Sequence, residues 1–118
     1  MNLEEAANSW IAAWNSGDLK SLLDHYAEDV VFYSSAVTRR WNTAGGKLTG
    51  KTALENHFRK AFEEFPGMKL DFRHLLMGTE GALLVYQRET GRMVADFVLF
   101  NAEGKVQEIR VFNEESEF

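Results

Sequence analysis

Residues 92–112, RMVADFVLFNAEGKVQEIRVF, constrain the fold more than any other stretch of the chain. They read as two strands joined by a short loop at Ala102, Glu103 and Gly104. In the first strand Val94, Val98 and Phe100 alternate with Ala95, Phe97 and Leu99, so both faces are apolar and both call for cover. Asp96 falls in the middle of that run, on the face of Val94 and Val98. A carboxylate among apolar neighbours carries a large desolvation cost unless it is paired, hydrogen-bonded or protonated. In the second strand Ile109 and Val111 share a face opposite Glu108 and Arg110. Asp96 marks the face on which to look for a site.

The upstream chain supplies the cover. Leu3, Ala6, Ala7, Trp10, Ile11 and Trp14 recur at helical spacing. Gly17 fits the left-handed residue after a helix end, and Asp18 fits the next N-cap. A second helix is expected over about 19–26, with Leu19, Leu22, Leu23 and Tyr26 facing one way. Val30 to Tyr33 read as a short strand. Residues 34–50 are polar and glycine-rich and read as a loop or an irregular hairpin, with Trp41 as their large apolar group. Thr52 and Glu55 are spaced as a capping box that opens a third helix, striped by Leu54, Phe58, Ala61, Phe62 and Phe65 and ended by Pro66-Gly67. Two more strands follow. In 69–77, Leu70, Phe72, His74 and Leu76 alternate against Asp71, Arg73 and Leu75. In 82–89, Leu83, Val85 and Gln87 alternate against Leu84, Tyr86 and Arg88. With the two strands after Arg92 they form a four-strand meander. Helices segregated on one side of a curved antiparallel sheet give an α+β cone, and its mouth can hold a small molecule.

A chain of 118 residues predicts one domain, 1–118. Cysteine is absent, which excludes disulfides, thiolate nucleophiles and zinc–sulfur sites. Lys plus Arg number 13 against 18 Asp plus Glu, a net charge of -5 that argues against a dedicated nucleic-acid or anionic-membrane binder. No apolar run approaches the roughly 18 residues of a membrane span, and the acidic, amphipathic MNLEEAANSW opening is unlike a signal peptide. A cytoplasmic location is the expectation. Glu4, Glu5, Glu63, Glu64, Glu114, Glu115 and Glu117 read as solvated faces or tails.

The residues WIAAWNSGDLKSLLDHYAEDVVFYSS, from Trp10 to Ser35, resemble the opening of the nuclear transport factor 2-like superfamily, in its SnoaL-like branch. GKTAL at 50–54 and ADFVLFNAEGKV at 95–106 agree, and the resemblance covers nearly the whole chain. It implies a cystatin-like cone: a curved antiparallel or mixed sheet, three helices packed on its concave face, a pocket between them, and dimerisation through the sheet. It leaves the activity open, because such folds host isomerases, dehydratases, cyclases, hydrolases and non-catalytic modules. Compared with ketosteroid isomerase, the oxyanion-binding acid matches Asp96, the oxyanion tyrosine falls at Trp10, the general base falls at Ser34, and pocket aromatics fall near Tyr26 and Phe58. An acid without its base argues against that isomerase reaction. The acidic last-strand residue of SnoaL-type polyketide cyclases has its nearest counterparts in Glu108 and Arg110, which face away from the pocket. The Asp-Arg-Asp set of the epoxide-hydrolase relatives is not supplied by Asp96 alone.

Asp96 and His74 are thus the candidate catalytic residues. Asp96 reads as a protonated or paired pocket acid, as a structural carboxylate bonded to Trp10 or His74, or as an edge residue. His74 reads as a satisfied core histidine or as a base paired with Asp96 across the pocket. Trp10, Trp14, Tyr26, Phe32, Ser34, Trp41, Phe58, Phe62, Phe72, Val98, Ile109 and Val111 are the candidate ligand-binding residues; plain core filling is the competing reading. His57 is expected at the rim or in solvent, and His25 exposed. No spaced metal motif is present, and no cofactor is implied. Leu84, Tyr86, Phe97, Leu99 and Phe112 are expected on the outer face as an apolar patch that a second copy covers. Two functions fit. One is an acid–base enzyme of isomerase, cyclase or dehydratase type acting on a small hydrophobic ligand. The other is a non-catalytic ligand-binding or dimerisation module.

Overall fold

A computed structural model of the protein describes residues 2–114; Glu115 and Glu117 lie outside the described residues. Helix α1 runs Leu3–Ser16, with the Asn2 side chain accepting the Glu5 backbone N–H at 2.8 Å. Gly17 closes it at φ 70°, and Asp18 caps α2 (Leu19–Leu23) by accepting the Ser21 N–H, as their sequence positions predict. Helix α2 is shorter than expected. Tyr26 is no helix residue; it opens strand β1 (Tyr26–Tyr33), where alternation also turns it inward.

The segment from 34 to 50 holds more structure than its composition suggests. Ser34 caps a helix, α3 (Ser35–Trp41), by accepting the Ala36 N–H at 3.2 Å. A 3₁₀ turn (Ala44–Gly46) then leads into β2 (Lys47–Thr49), which pairs antiparallel with β1 and makes the expected irregular hairpin. Only Val37 of α3 is buried, so the helix has no apolar stripe to announce it. Helix α4 (Lys51–Glu64) starts at Gly50 with no side-chain cap. The Thr52–Glu55 capping box does not form, because Thr52 already lies inside the first turn; Glu55 pairs with Arg59 instead.

Strands β3 (Leu70–Met77), β4 (Gly81–Arg88), β5 (Met93–Phe100) and β6 (Val106–Asn113) form the expected meander. The sheet has six strands in the order β2-β1-β6-β5-β4-β3, antiparallel throughout except for the parallel β1–β6 pair. Among the described residues it is an α+β fold with a mixed sheet, four helices rather than three, and one apolar core. Asn15 docks α1 on β3 by exchanging two hydrogen bonds with the Leu70 backbone, at 2.7 and 2.9 Å.

Register decides which side chains meet the helices, because directly paired residues share a face. Leu84 pairs with Asp96, Tyr86 with Val94, and Asp96 with Val111. Leu84 and Tyr86 therefore sit on the inner face with Asp96 and are buried there, contrary to the outward placement expected from sequence. The outer face carries Leu83, Val85, Phe97, Leu99 and Phe112 instead. In β3 the register shifts between Phe72, which pairs with Tyr86, and His74, which pairs with Val85. The irregularity reverses the alternation. Phe72 stays inside, whereas His74 turns to the outer, exposed side.

Candidate functional site

A cavity of about 360 Å³ opens between the inner face of the sheet and the helices. Asp96 borders it from the middle of β5 at 2% exposure. The Tyr86 hydroxyl, one strand away, donates to its carboxylate at 3.2 and 3.3 Å from the two oxygens. Burial pushes the Asp96 carboxyl up from its ordinary 3.8 to about 7, and the Tyr86 hydrogen bond only partly offsets this. A second polar pair lies beside the first. Trp10 on α1 donates its indole N–H to the Tyr26 hydroxyl oxygen at 2.7 Å, and its ring packs edge-on against Tyr86 at 5.5 Å. Burial raises both phenols, so both stay protonated at neutral pH.

The protons of this cluster are unevenly used. Tyr86 spends its O–H on Asp96. Tyr26 accepts from Trp10, and its own O–H meets no acceptor among the described residues. With Tyr86 donating to it, a neutral Asp96 has no other acceptor for its own proton among the described residues. Two O–H donors, Tyr26 and Asp96, are thus free to serve an oxygen placed in the cavity. Trp10 cannot supply an O–H from α1, but it orients a phenol from β1 that can.

Aromatic rings make the walls. Phe58 on α4 meets Trp14, Tyr26 and Phe32 at centroid distances of 4.9, 5.6 and 5.6 Å. The Trp14 indole N–H is buried without a hydrogen-bond partner among the described residues. His57, expected at the rim or in solvent, is 4% exposed and packed against Phe32 and Phe58. Its Nδ1 lies 2.9 Å from the Arg40 guanidinium and 3.2 Å from the Trp41 indole nitrogen. Burial first, and then the Arg40 charge, lower its pKa to about 4, so it is neutral. With two N–H groups aimed at Nδ1, the ring proton belongs on Nε2 and the basic nitrogen is occupied.

Of the residues expected at the site, Asp96, Trp10, Trp14, Tyr26, Phe32, Ser34, Phe58, Ile109 and Val111 border the cavity together. Five do not. His74 is on the outer face, so the Asp96–His74 pairing expected across the pocket does not exist. Trp41 is 40% exposed and gives its indole N–H to His57, so it braces that ring instead of lining the cavity. Phe62 packs behind Trp14. Phe72 and Val98 belong to the core outside the cavity wall. Sequence reasoning missed Tyr86, His57 and the arginines of the mouth. Tyr86 was within reach: a register that sets it opposite Val94 brings it to the Asp96 face. Among the described residues no group of three or more His, Cys, Asp or Glu side chains could hold a metal ion, and no helix is long and apolar enough to cross a membrane.

The architecture has close parallels in solved structures. A SnoaL-like protein of unknown function from Burkholderia thailandensis superposes with a TM-score of 0.91 at 23% identity, covering 95% of this chain and 93% of that one. A protein of unknown function with a cystatin-like fold from Methylobium petroleophilum gives 0.75 at 19% identity, over 98% and 77%. TerC, co-crystallised with polyporic acid, gives 0.76 at 15% identity, over 94% and 90%. At these identities the likeness concerns the fold alone. No curated protein matches the sequence significantly. Residues 7–113 match the SnoaL-like domain, nearly the whole chain, and the protein therefore belongs to the SnoaL-like family.

Proposed function

We propose that the cavity binds a small, largely apolar cyclic molecule and holds one of its oxygens with the O–H groups of Tyr26 and neutral Asp96. The observation that carries this reading is the pair of unspent donors inside an aromatic-walled cavity. Buried donors are ordinarily satisfied, and two left free on one cavity floor point to an acceptor brought by a ligand. TerC, of similar fold, was co-crystallised with polyporic acid, which is in keeping with a small-molecule role.

The same geometry supports chemistry in which negative charge grows on the held oxygen, as in enolisation, cyclisation or dehydration next to a carbonyl. Donors fixed in a low-dielectric site lower the barrier to such charge. Asp96, ionising near neutrality, can hand its proton to that oxygen and recover it. The occupied Nδ1 of His57 favours a second reading, binding without turnover, because it withholds the imidazole from base duty. Two copies associate through the outer face, where Phe112 is 58% exposed beside Phe97, Leu99, Leu83 and Val85. A monomer mass by light scattering at micromolar concentration overturns the dimer.

Binding of 2-acetonaphthone and of 2-ethylnaphthalene, followed by quenching of Trp10 and Trp14 fluorescence, tests the donors. The ketone is expected to bind about tenfold tighter, a preference of the size two modest hydrogen bonds supply. Tyr26→Phe and Asp96→Ala each reduce it, and Asp96→Asn retains it. Equal binding of the two compounds overturns the donor role, and binding of neither overturns the pocket.

A further inference from the structure

The protein carries a net charge of -5, yet four of its seven arginines, Arg39, Arg40, Arg88 and Arg92, border this one cavity, with Glu89 as the ionised carboxylate among them. Two of the four are already committed. Arg40 is ion-paired to Glu64 and reaches His57. Arg88 pairs with Glu89 at 2.9 Å and stacks on Phe65 at 5.4 Å. The other two are not. Arg39 on α3 hydrogen-bonds the Ser35 hydroxyl at 3.5 Å, and neither Arg39 nor Arg92 has a carboxylate within ion-pair distance among the described residues. Arg92 sits at the β4–β5 turn, so the two free guanidinium groups come from separate elements that border the same cavity.

We infer that the natural ligand is an organic acid, its ring system seated among Trp14, Phe32 and Phe58 and its anionic group held at the mouth by Arg39 and Arg92. The inference rests on the cavity being a ligand site, as proposed above, and adds the charge class of what enters. An apolar wall alone selects for shape and size. Unpaired guanidinium groups at its entrance add electrostatic capture and a planar fork for a carboxylate, sulfonate or phenolate. The buried Trp14 N–H without a partner is consistent with an oxygen-bearing ring lying along that wall. Exposed ion pairs are individually weak, so the anion contributes selectivity while the ring contributes most of the affinity.

The test compares 2-naphthoate with 2-naphthamide, which are nearly isosteric and differ in charge. Calorimetry with the wild type is expected to show the acid binding about tenfold tighter at low salt, with added salt eroding that advantage and leaving the amide unchanged. In the Arg39→Gln/Arg92→Gln double variant the two probes converge, through weaker binding of the acid. If acid and amide bind the wild type equally, the anion inference falls and the pocket reading stands. A preference for the acid that survives in the double variant removes these two arginines from the role and overturns the inference as stated. If neither probe binds, the pocket reading falls as well.

Discussion

Replacing Asp96 by Asn removes a titrating group and little else, because the amide has nearly the same shape and can still accept from Tyr86. A carboxyl that ionises at about 7 in the native state and at 3.8 in the unfolded chain makes the unfolded state the poorer proton binder between those values. Stability falls as pH rises through that window and levels off above the native pKa. About three pKa units at 1.36 kcal/mol each amount to roughly 4 kcal/mol over the full window, of which about 2–3 kcal/mol is lost between about pH 5 and pH 8. His57 acts in the opposite direction. Its native pKa is depressed to about 4, so its contribution is present above the unfolded value and is lost as pH falls toward the native one. Urea unfolding of wild type and Asp96→Asn at the same two pH values cancels the His57 contribution. The stability difference between the two proteins is expected to shift in favour of the variant by about 2–3 kcal/mol on going from about pH 5 to pH 8. A difference that does not change with pH refutes a raised Asp96 pKa, and so does a carboxyl-carbon NMR midpoint at or below about 3.9.

Three further outcomes follow from the same contacts. Tyr86→Phe removes the hydrogen bond that holds the Asp96 pKa down, so the NMR midpoint of Asp96 moves higher still and stability drops by about 1–3 kcal/mol. Gly46→Ala is strongly destabilising, because Gly46 has φ 63° and an added Cβ would lie 2.5 Å from the Ser34 carbonyl oxygen; chemical denaturation is expected to show a loss well above 1 kcal/mol. His74→Ala leaves probe binding unchanged and stability within about 0.5 kcal/mol, since the side chain lies exposed on the outer face.

The elements most legible in the sequence were those whose own side chains announce them: the Trp10–Trp14 stripe of α1, the Gly17-Asp18 junction, and the alternation of β4 and β5. Asp96 stood out because nothing around it could pay for its charge. What escaped depended on relations between strands. The register of β4 against β5 put Tyr86 beside Asp96 rather than behind it, and one irregularity in β3 sent His74 outward, yet neither leaves a mark in the local pattern. Helix α3 was hidden for another reason. It buries a single residue, so its only local signal was the Ser34 cap. The role of His57 was equally out of reach, since its neutrality comes first from burial and then from the charge of Arg40, which the chain brings to it from a different helix.

The parallel pairing of β1 with β6 makes closure of the sheet depend on a strand far downstream in the sequence. Phe32 waits for Ile109 and Tyr33 for Arg110, across most of the sequence. Until β6 is in place, the β1–β2 hairpin and the β3–β4–β5 meander have no strand in common, because β6 is the one that joins them. A ribosome-bound chain stopped before residue 106 would hold two half-sheets with no strand in common, each with an open edge. Long-range closure of this kind is slow compared with hairpin formation. Tyr26 lies on β1 and Asp96 on β5, so β6, paired between them, is the strand that joins the two sides of the cavity.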